Sequence, residues 1–138
     1  MPGILLTISG NTAPELKQRI AGDITALTAN LLGKEMEKTM LMLHFVPHED
    51  WFIAGKSLVE LQKNSFRLEV TVIDETVTKD QKAAYHQAAF AVLSRLIGHV
   101  HPHSNVHVID CRASAYGYGG LTQEYRYQHR NAAAAEAA

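Results

Sequence analysis

Residues 116 to 120 of the chain are Tyr116-Gly117-Tyr118-Gly119-Gly120, and the five residues that lie 65 positions earlier are Trp51-Phe52-Ile53-Ala54-Gly55. Both stretches begin with a large aromatic residue and end with glycine. The same offset aligns the chain on both sides without a gap, and it pairs Gly33 with Gly98. An internal repeat of this kind predicts that one supersecondary unit is used twice. The repeats are expected at residues 2–64 and 65–125.

The first unit has the pattern strand, helix, strand and glycine-containing loop. Residues 3–9 are mostly apolar and predict a strand. Thr12 is the expected N-cap of a helix that has Pro14 in its first turn and stops at Gly33. Met40–Val46 is the second expected strand.

The second unit repeats this order. Apolar and polar residues alternate from Phe66 to Val72, which is typical of a strand with one buried face. Thr78 is expected to cap a helix that runs to Ile97, and Val106–Cys111 is expected to form the last strand.

We expect an α+β fold, because a strand–helix–strand crossover makes its two strands parallel. The tandem β-α-β units then form a four-stranded mixed sheet with two helices on one face. Consecutive apolar residues in the first unit require cover on both faces, so we predict that the other face meets further subunits. A single domain is expected over residues 1–130, and the alanine-rich tail, residues 131–138, is expected to be disordered.

Pro2 lies directly before the first strand. If Met1 is removed, Pro2 carries a secondary amine, and burial of such an amine lowers its pKa by disfavouring the cation. A base poised near neutral pH suits proton abstraction beside a carbonyl group. Proline is also tolerated simply as the first residue of a strand, so Pro2 alone does not distinguish a catalytic role from a structural one.

Pro2 together with the repeated loop resembles the tautomerase superfamily, whose founding member is 4-oxalocrotonate tautomerase. That family has an N-terminal catalytic proline, a β-α-β unit and a Phe-Gly-Ile-Gly-Gly loop after the second strand. Each unit of the chain is similar to the short family subunit over nearly its full length, about residues 2 to 125 in total. The chain is therefore identified as a fused, two-unit member, and such members are typically homotrimers.

The resemblance implies roles for several residues. Pro2 would be the general base that moves a proton between carbon and oxygen of an enol. The loop aromatics Trp51 and Tyr116 would form the apolar wall of the substrate site. Arg67 aligns with Pro2 in the second unit, where it would bind an anion unless it pairs with Glu69 on the same strand face.

The two arginines with which the founding enzyme holds a dicarboxylate are absent. Their positions fall on Thr12, Val77, Met40 and Asn105, none of which is charged. Asn105 would still donate hydrogen bonds to the substrate, but a neutral amide binds a carboxylate less strongly than a guanidinium does. We therefore expect a monoacid or aromatic enol to be preferred over 2-hydroxymuconate.

Composition and charge limit the classes of function. The chain has 13 basic and 14 acidic residues without a basic block, which gives nucleic-acid binding no electrostatic support. No apolar run has the ~20 residues that span a bilayer, and no signal peptide is indicated. The lone Cys111 fits a reducing compartment, so we expect a cytoplasmic location. His99, His101 and His103 alternate like strand metal ligands, but Pro102 favours a polar loop, and we expect no metal.

These features predict a cofactor-free keto–enol tautomerase, an isomerase, that acts on a small 2-oxo or enol acid. Two alternatives stay open. One is a trimeric binding or scaffold protein that keeps the fold without activity, as a retained Met1 would favour by leaving Pro2 an amide. The other is a lyase or hydratase, of the dehalogenase or decarboxylase kind, that uses water activated at the same proline.

Overall fold

The structure is a computed structural model, and it describes residues 2–131. Met1 and residues 132–138 of the tail lie outside the described residues. The first unit comprises β1 (Gly3–Ser9), α1 (Pro14–Leu32), β2 (Met40–Val46), β3 (Phe52–Ile53), β4 (Lys56–Ser57) and α2 (Leu58–Leu61). The second comprises β5 (Phe66–Ile73), α3 (Lys79–Ile97), β6 (Asn105–Cys111), β7 (Gly117–Tyr118), β8 (Leu121–Thr122) and α4 (Gln123–Gln128).

The four long strands form one sheet in the order β2-β1-β5-β6. Each unit contributes a parallel pair, β1 with β2 and β5 with β6. The units meet at the centre of the sheet, where β1 and β5 are antiparallel. This arrangement confirms the predicted α+β fold with a mixed sheet. It also places the start of β1 at the same edge of the sheet as the end of β5.

The core lies between the sheet and the helices α1 and α3. Alternate residues of β1 face it, and Ile4, Leu6 and Ile8 are each at most 1% exposed. The two helices are joined inside this layer by the hydroxyl groups of Thr28 and Tyr85, which are 2.8 Å apart and fully buried. A buried polar group is stable only when it has a partner, so this hydrogen bond fixes how the two units pack together.

The helix ends show where local sequence signals succeeded and where one failed. Thr78 caps α3 through a reciprocal capping box with Gln81, as predicted. The N-cap of α1 is Ala13, which offers no side-chain hydrogen bond, so the prediction of Thr12 as N-cap is wrong. Gly33 ends α1 in the left-handed conformation, with φ of 65°, which glycine adopts without strain.

The sheet face away from the helices carries several exposed apolar side chains. Met40, Met42 and Ile109 are 49%, 52% and 42% exposed, and Leu5 lies between them in the register. We call this surface the outer face. Exposed apolar side chains are typical of an interaction surface, and on this face they lie toward the start of β1, while the polar Thr7, Arg67 and Asn105 lie toward its end.

Candidate active site

Pro2 lies at the edge of the sheet where β1 begins, and its side chain is buried. Its carbonyl oxygen accepts a hydrogen bond from the backbone N–H of Met40 at 3.3 Å. The next residue, Gly3, is paired with Met40 on one side and with Thr71 on the other. Pro2 is thus anchored through its carbonyl group and the strand that follows it, while its nitrogen takes no part in the sheet.

A cavity of about 430 Å³ is located at the same edge of the sheet, where β5 ends and the segment before β2 passes. Most of the charged side chains that line it are basic. The basic residues are Lys34, Lys38, Arg126 and Arg130, and the acidic residue is Glu35. The excess of positive charge makes this cavity favourable for an anion.

The basic side chains of this cavity differ in their partners. Lys38 Nζ lies 2.9 Å from the Glu35 carboxylate. Arg126 donates from Nη2 to the carbonyl oxygen of Tyr118 at 2.9 Å, and its guanidinium lies 3.8 Å from the centre of the Tyr118 ring. Within residues 2–131, neither Arg126 nor Lys34 has a carboxylate partner. These two cations therefore keep their charge available for a ligand.

Burial and hydrogen bonding affect the two lysines in opposite directions. Burial lowers the pKa of Lys34, whose Nζ donates to the Thr76 hydroxyl at 2.9 Å. The hydrogen bond to Glu35 raises the pKa of Lys38. A bound carboxylate would raise the pKa of Lys34 again and so offset part of the effect of burial, because an opposite charge nearby favours the charged form.

Tyr116 lies on the loop that follows β6, and β6 ends beside β5 at the Pro2 edge. Its hydroxyl group is buried and has no hydrogen-bond partner among the described residues. Burial, reinforced by Cys111, raises the pKa of the hydroxyl. Tyr116 therefore stays neutral near pH 7, and it lines a separate pocket of about 280 Å³ rather than the cavity of Lys34 and Arg126.

The other predicted site residues lie at the opposite edge of the sheet. Trp51, Arg67 and Asn105 line a cleft of about 420 Å³, which we call the Arg67 cleft. Arg67 is paired with Thr7 in the register of β1 and β5. Thr7 is five residues along β1 from Pro2, or roughly 16 Å at the usual rise of a strand.

Within one chain, Pro2 lies at one edge of the sheet and Trp51, Asn105 and Arg67 lie at the other. The antiparallel pairing of the two units sends equivalent positions to opposite edges. Arg67 is equivalent to Pro2 by the 65-residue offset, and each lies at its own edge with the loop of the other unit.

Sequence analysis missed the cations of the Pro2 edge. Lys34 and Lys38 are separated from Arg126 by about ninety residues, and no local pattern connects them. The repeat held a usable signal, because Lys38 is equivalent to His103 by the offset and His103 lines the Arg67 cleft. Positions that line one edge therefore predict which positions line the other.

Two further predictions concern metal binding and membrane-spanning helices. Over residues 2–131, no three His, Cys, Asp or Glu side chains come together in a way that would hold a metal ion. His99 and His103 line different pockets. In the same part of the chain no helix combines the length and apolar character needed to cross a bilayer.

Comparison with known proteins gives both a sequence relative and structural neighbours. The chain is 36% identical over 62 residues to the probable tautomerase K2 of Dickeya dadantii, a match that covers 45% of this chain and 91% of the relative. No family model matches the chain.

The chain also resembles solved structures, and each of these matches spans nearly the whole length of the solved chain. One is the protein Pt0534 inactivated by 2-oxo-3-pentynoate, with a TM-score of 0.78, 18% identity, and coverage of 89% of this chain and 98% of that one. Another is a fused 4-OT solved as a symmetric trimer, with a TM-score of 0.74, 19% identity, and coverage of 88% and 96%. At these identities the similarity shows the fold.

Proposed function

Because the chain belongs to the tautomerase superfamily, we propose that it is a cofactor-free keto–enol tautomerase that acts on a small 2-oxo or enol acid. The observation that carries the proposal is the position of Pro2, buried at the head of β1 and at the same edge of the sheet as a cavity rich in cations, whose lining does not include Pro2. With Met1 removed, the Pro2 nitrogen is a secondary amine. As the free base it would take a proton from carbon beside the carbonyl group and return it to oxygen, or the reverse.

The cations at this edge support an anionic substrate. We assign the carboxylate of the 2-oxo or enol acid to Lys34 and Arg126, which have no carboxylate partner within the described residues. Hydrogen bonds from charged donors are stronger than neutral ones. Tyr116, which lines the adjoining pocket, would form an apolar wall of the site.

The outer face supports assembly of the chain into a homotrimer. Its exposed residues, Met40 and Met42 on β2 and Ile109 on β6, form an apolar surface that a neighbouring subunit would bury. A fused 4-OT of the same fold was solved as a symmetric trimer. A trimer with one free Pro2 amine per chain would have three reactive edges.

The test is a ketonisation assay on protein whose intact mass shows that Met1 is absent. The enol form of phenylpyruvate is the substrate, and loss of its ultraviolet absorbance is followed against buffer alone. The proposal requires saturable acceleration. A rate equal to that in buffer, for this enol and for 2-hydroxymuconate, would favour the alternative of a binding protein without activity.

A further inference from the structure

We propose that the Arg67 cleft is a second ligand site, separate from Pro2, which binds a small monocarboxylate with a flat apolar body and does not catalyse its reaction. The cleft holds about 420 Å³, within the range of small-molecule sites in proteins. The proposal is independent of the tautomerase activity, because it concerns the opposite edge of the sheet.

The guanidinium of Arg67 is the charged group of this site. Arg67 forms the pair with Glu69 that the sequence analysis gave as the alternative to anion binding, but only through Nε, which donates to the carboxylate at 2.8 Å; the side chain is 52% exposed. Its two terminal nitrogens have no acceptor among residues 2–131. The pair with Glu69 therefore holds the guanidinium in place and leaves its outer edge for the two parallel hydrogen bonds that a carboxylate accepts.

Two neutral polar side chains flank Arg67 in the sheet. Thr7 is its partner on β1 and Asn105 its partner on β6, and all three residues line the cleft. Adjacent strands lie about 4.8 Å apart, so the three polar groups form a short row. Neither the Thr7 hydroxyl nor the Asn105 amide has a hydrogen-bond partner in the described part of the chain.

Several of the residues that line the cleft are aromatic or apolar. Trp51, Phe52 and Ile53 come from the loop of the first unit, and Phe66 and Val46 from the strands. Trp51 is half-buried, so part of its ring is open to a ligand. A cleft lined by aromatic residues and by a row of polar side chains fits a flat molecule that has one polar end.

The charges around the cleft favour a ligand with one negative charge over a ligand with two. Arg67 is the only fixed cation in the lining, while Asp50 lines the cleft and Glu69 is bonded to Arg67. His103 is the remaining titratable residue of the lining. A dianion such as phosphate would face both carboxylates with one guanidinium to balance them, so we expect it to bind poorly.

The residue at the position of Pro2 in the second unit explains why no catalysis is expected in the Arg67 cleft. Arg67 occupies the position equivalent to Pro2, and a guanidinium does not give up its proton in proteins. Its side chain can orient a carboxylate but cannot act as a base. The two edges of one sheet thus combine a site for proton transfer with a site for binding.

The experiment uses the single tryptophan of the chain, Trp51, as the reporter. Phenylacetate is added to the full-length protein while Trp51 emission is recorded, and equilibrium dialysis gives an independent binding constant. We expect a single saturable change in Trp51 emission, because Trp51 lines the Arg67 cleft and does not report on a ligand bound at the Pro2 edge. Arg67→Met should weaken binding about tenfold or more, and Asn105→Ala about threefold, by loss of hydrogen bonds to the carboxylate. Circular dichroism confirms that each variant is folded.

Two controls separate this proposal from the function of Pro2. Arg112→Met removes an exposed arginine outside the lining and should leave phenylacetate binding unchanged. Pro2→Ala should also leave it unchanged, although it removes the base of the proposed tautomerase. Absence of saturable binding, an unaltered binding constant in Arg67→Met, loss of binding in Pro2→Ala, or equal competition by inorganic phosphate would each overturn the proposal.

Discussion

Met40 donates its backbone N–H to the carbonyl oxygen of Pro2 at 3.3 Å. This hydrogen bond extends the parallel pairing of β1 and β2 by one residue beyond Gly3. It fixes Pro2 through its carbonyl group, while the proline nitrogen, which has no N–H in the peptide, takes no part in the sheet. The same edge is lined by cations from both units, so the proposed chemistry on an anion would take place near the first residues of β1.

The cations of the Pro2 edge should control substrate binding. Arg126→Met removes a guanidinium without a carboxylate partner among the described residues, and we expect kcat/KM for the enol of phenylpyruvate to fall about tenfold, mostly through KM. Arg126→Lys should recover part of the loss. Arg19→Met is the matched control, because Arg19 is an exposed residue of α1 paired only loosely with Asp23. An equal loss of kcat/KM in Arg19→Met would show that the loss in Arg126→Met does not come from the cation-lined cavity.

The outer face should hold the subunits together. Met42 is 52% exposed in the single chain, and Met42→Glu would place a charge inside the proposed interface, where an unpaired charge is costly. We expect sedimentation analysis to show a trimer for the unmodified protein and dissociation for Met42→Glu. Val59→Glu changes an apolar residue of similar exposure on α2 and should leave the trimer intact. A monomeric unmodified protein at micromolar concentration would contradict the assembly.

Burial of the Tyr85 hydroxyl gives the fold a pH dependence. Burial raises the pKa of Tyr85 from 10.0 to about 12, with the bond to Thr28 acting in the opposite direction. Below pH 10 the hydroxyl is neutral in both states, so its contribution to stability is fully present. Between pH 10 and 12 the unfolded chain releases the proton and the folded one keeps it, so stability falls by about 2 to 3 kcal/mol.

The matching variant is Tyr85→Phe. It removes the titrating group, while Thr28 keeps its bond to the Ile24 carbonyl oxygen. We expect a loss of about 1 kcal/mol at pH 7 and a smaller decline between pH 10 and 12. Urea unfolding at several pH values measures both effects. A decline equal to that of the unmodified protein would assign the pH dependence to other groups.

The two helix starts offer a comparison within one chain. Thr78→Ala breaks the capping box of α3, and we expect it to cost about 1 kcal/mol of unfolding free energy. Thr12→Ala should cost much less, since Ala13 is the N-cap of α1. Thermal unfolding of both variants measures the difference. Equal losses would show that the capping hydrogen bonds do not set the stability of the two ends.

Much of the fold followed from the sequence because its signals are local or repeated. The apolar run Met40–Val46 became β2 with the expected bounds, and Thr78 became the predicted cap. Thr12 failed as a cap because Pro14 takes the first helical position and Ala13 the one before it, a choice that composition does not distinguish.

The sharing of each edge between the two units was beyond sequence analysis. Trp51 and Pro2 lie at opposite edges because β1 and β2 are parallel, and each shares its edge with residues of the other unit because β1 and β5 pair antiparallel. That pairing depends on contacts between residues far apart in the chain. Lys34 and Arg126 meet for the same reason, and neither position has a local pattern that indicates an anion site.

The most direct test of the central claim is the ketonisation rate of Pro2→Ala compared with the unmodified protein, both shown by intact mass to lack Met1. The substitution exchanges the secondary amine for a primary one and loosens the entry to β1. If Pro2 is the general base, kcat/KM for the enol of phenylpyruvate should fall on the order of 10²-fold or more, and protein that retains Met1 should be inactive. Unchanged turnover in Pro2→Ala, or full activity with Met1 attached, would contradict the account.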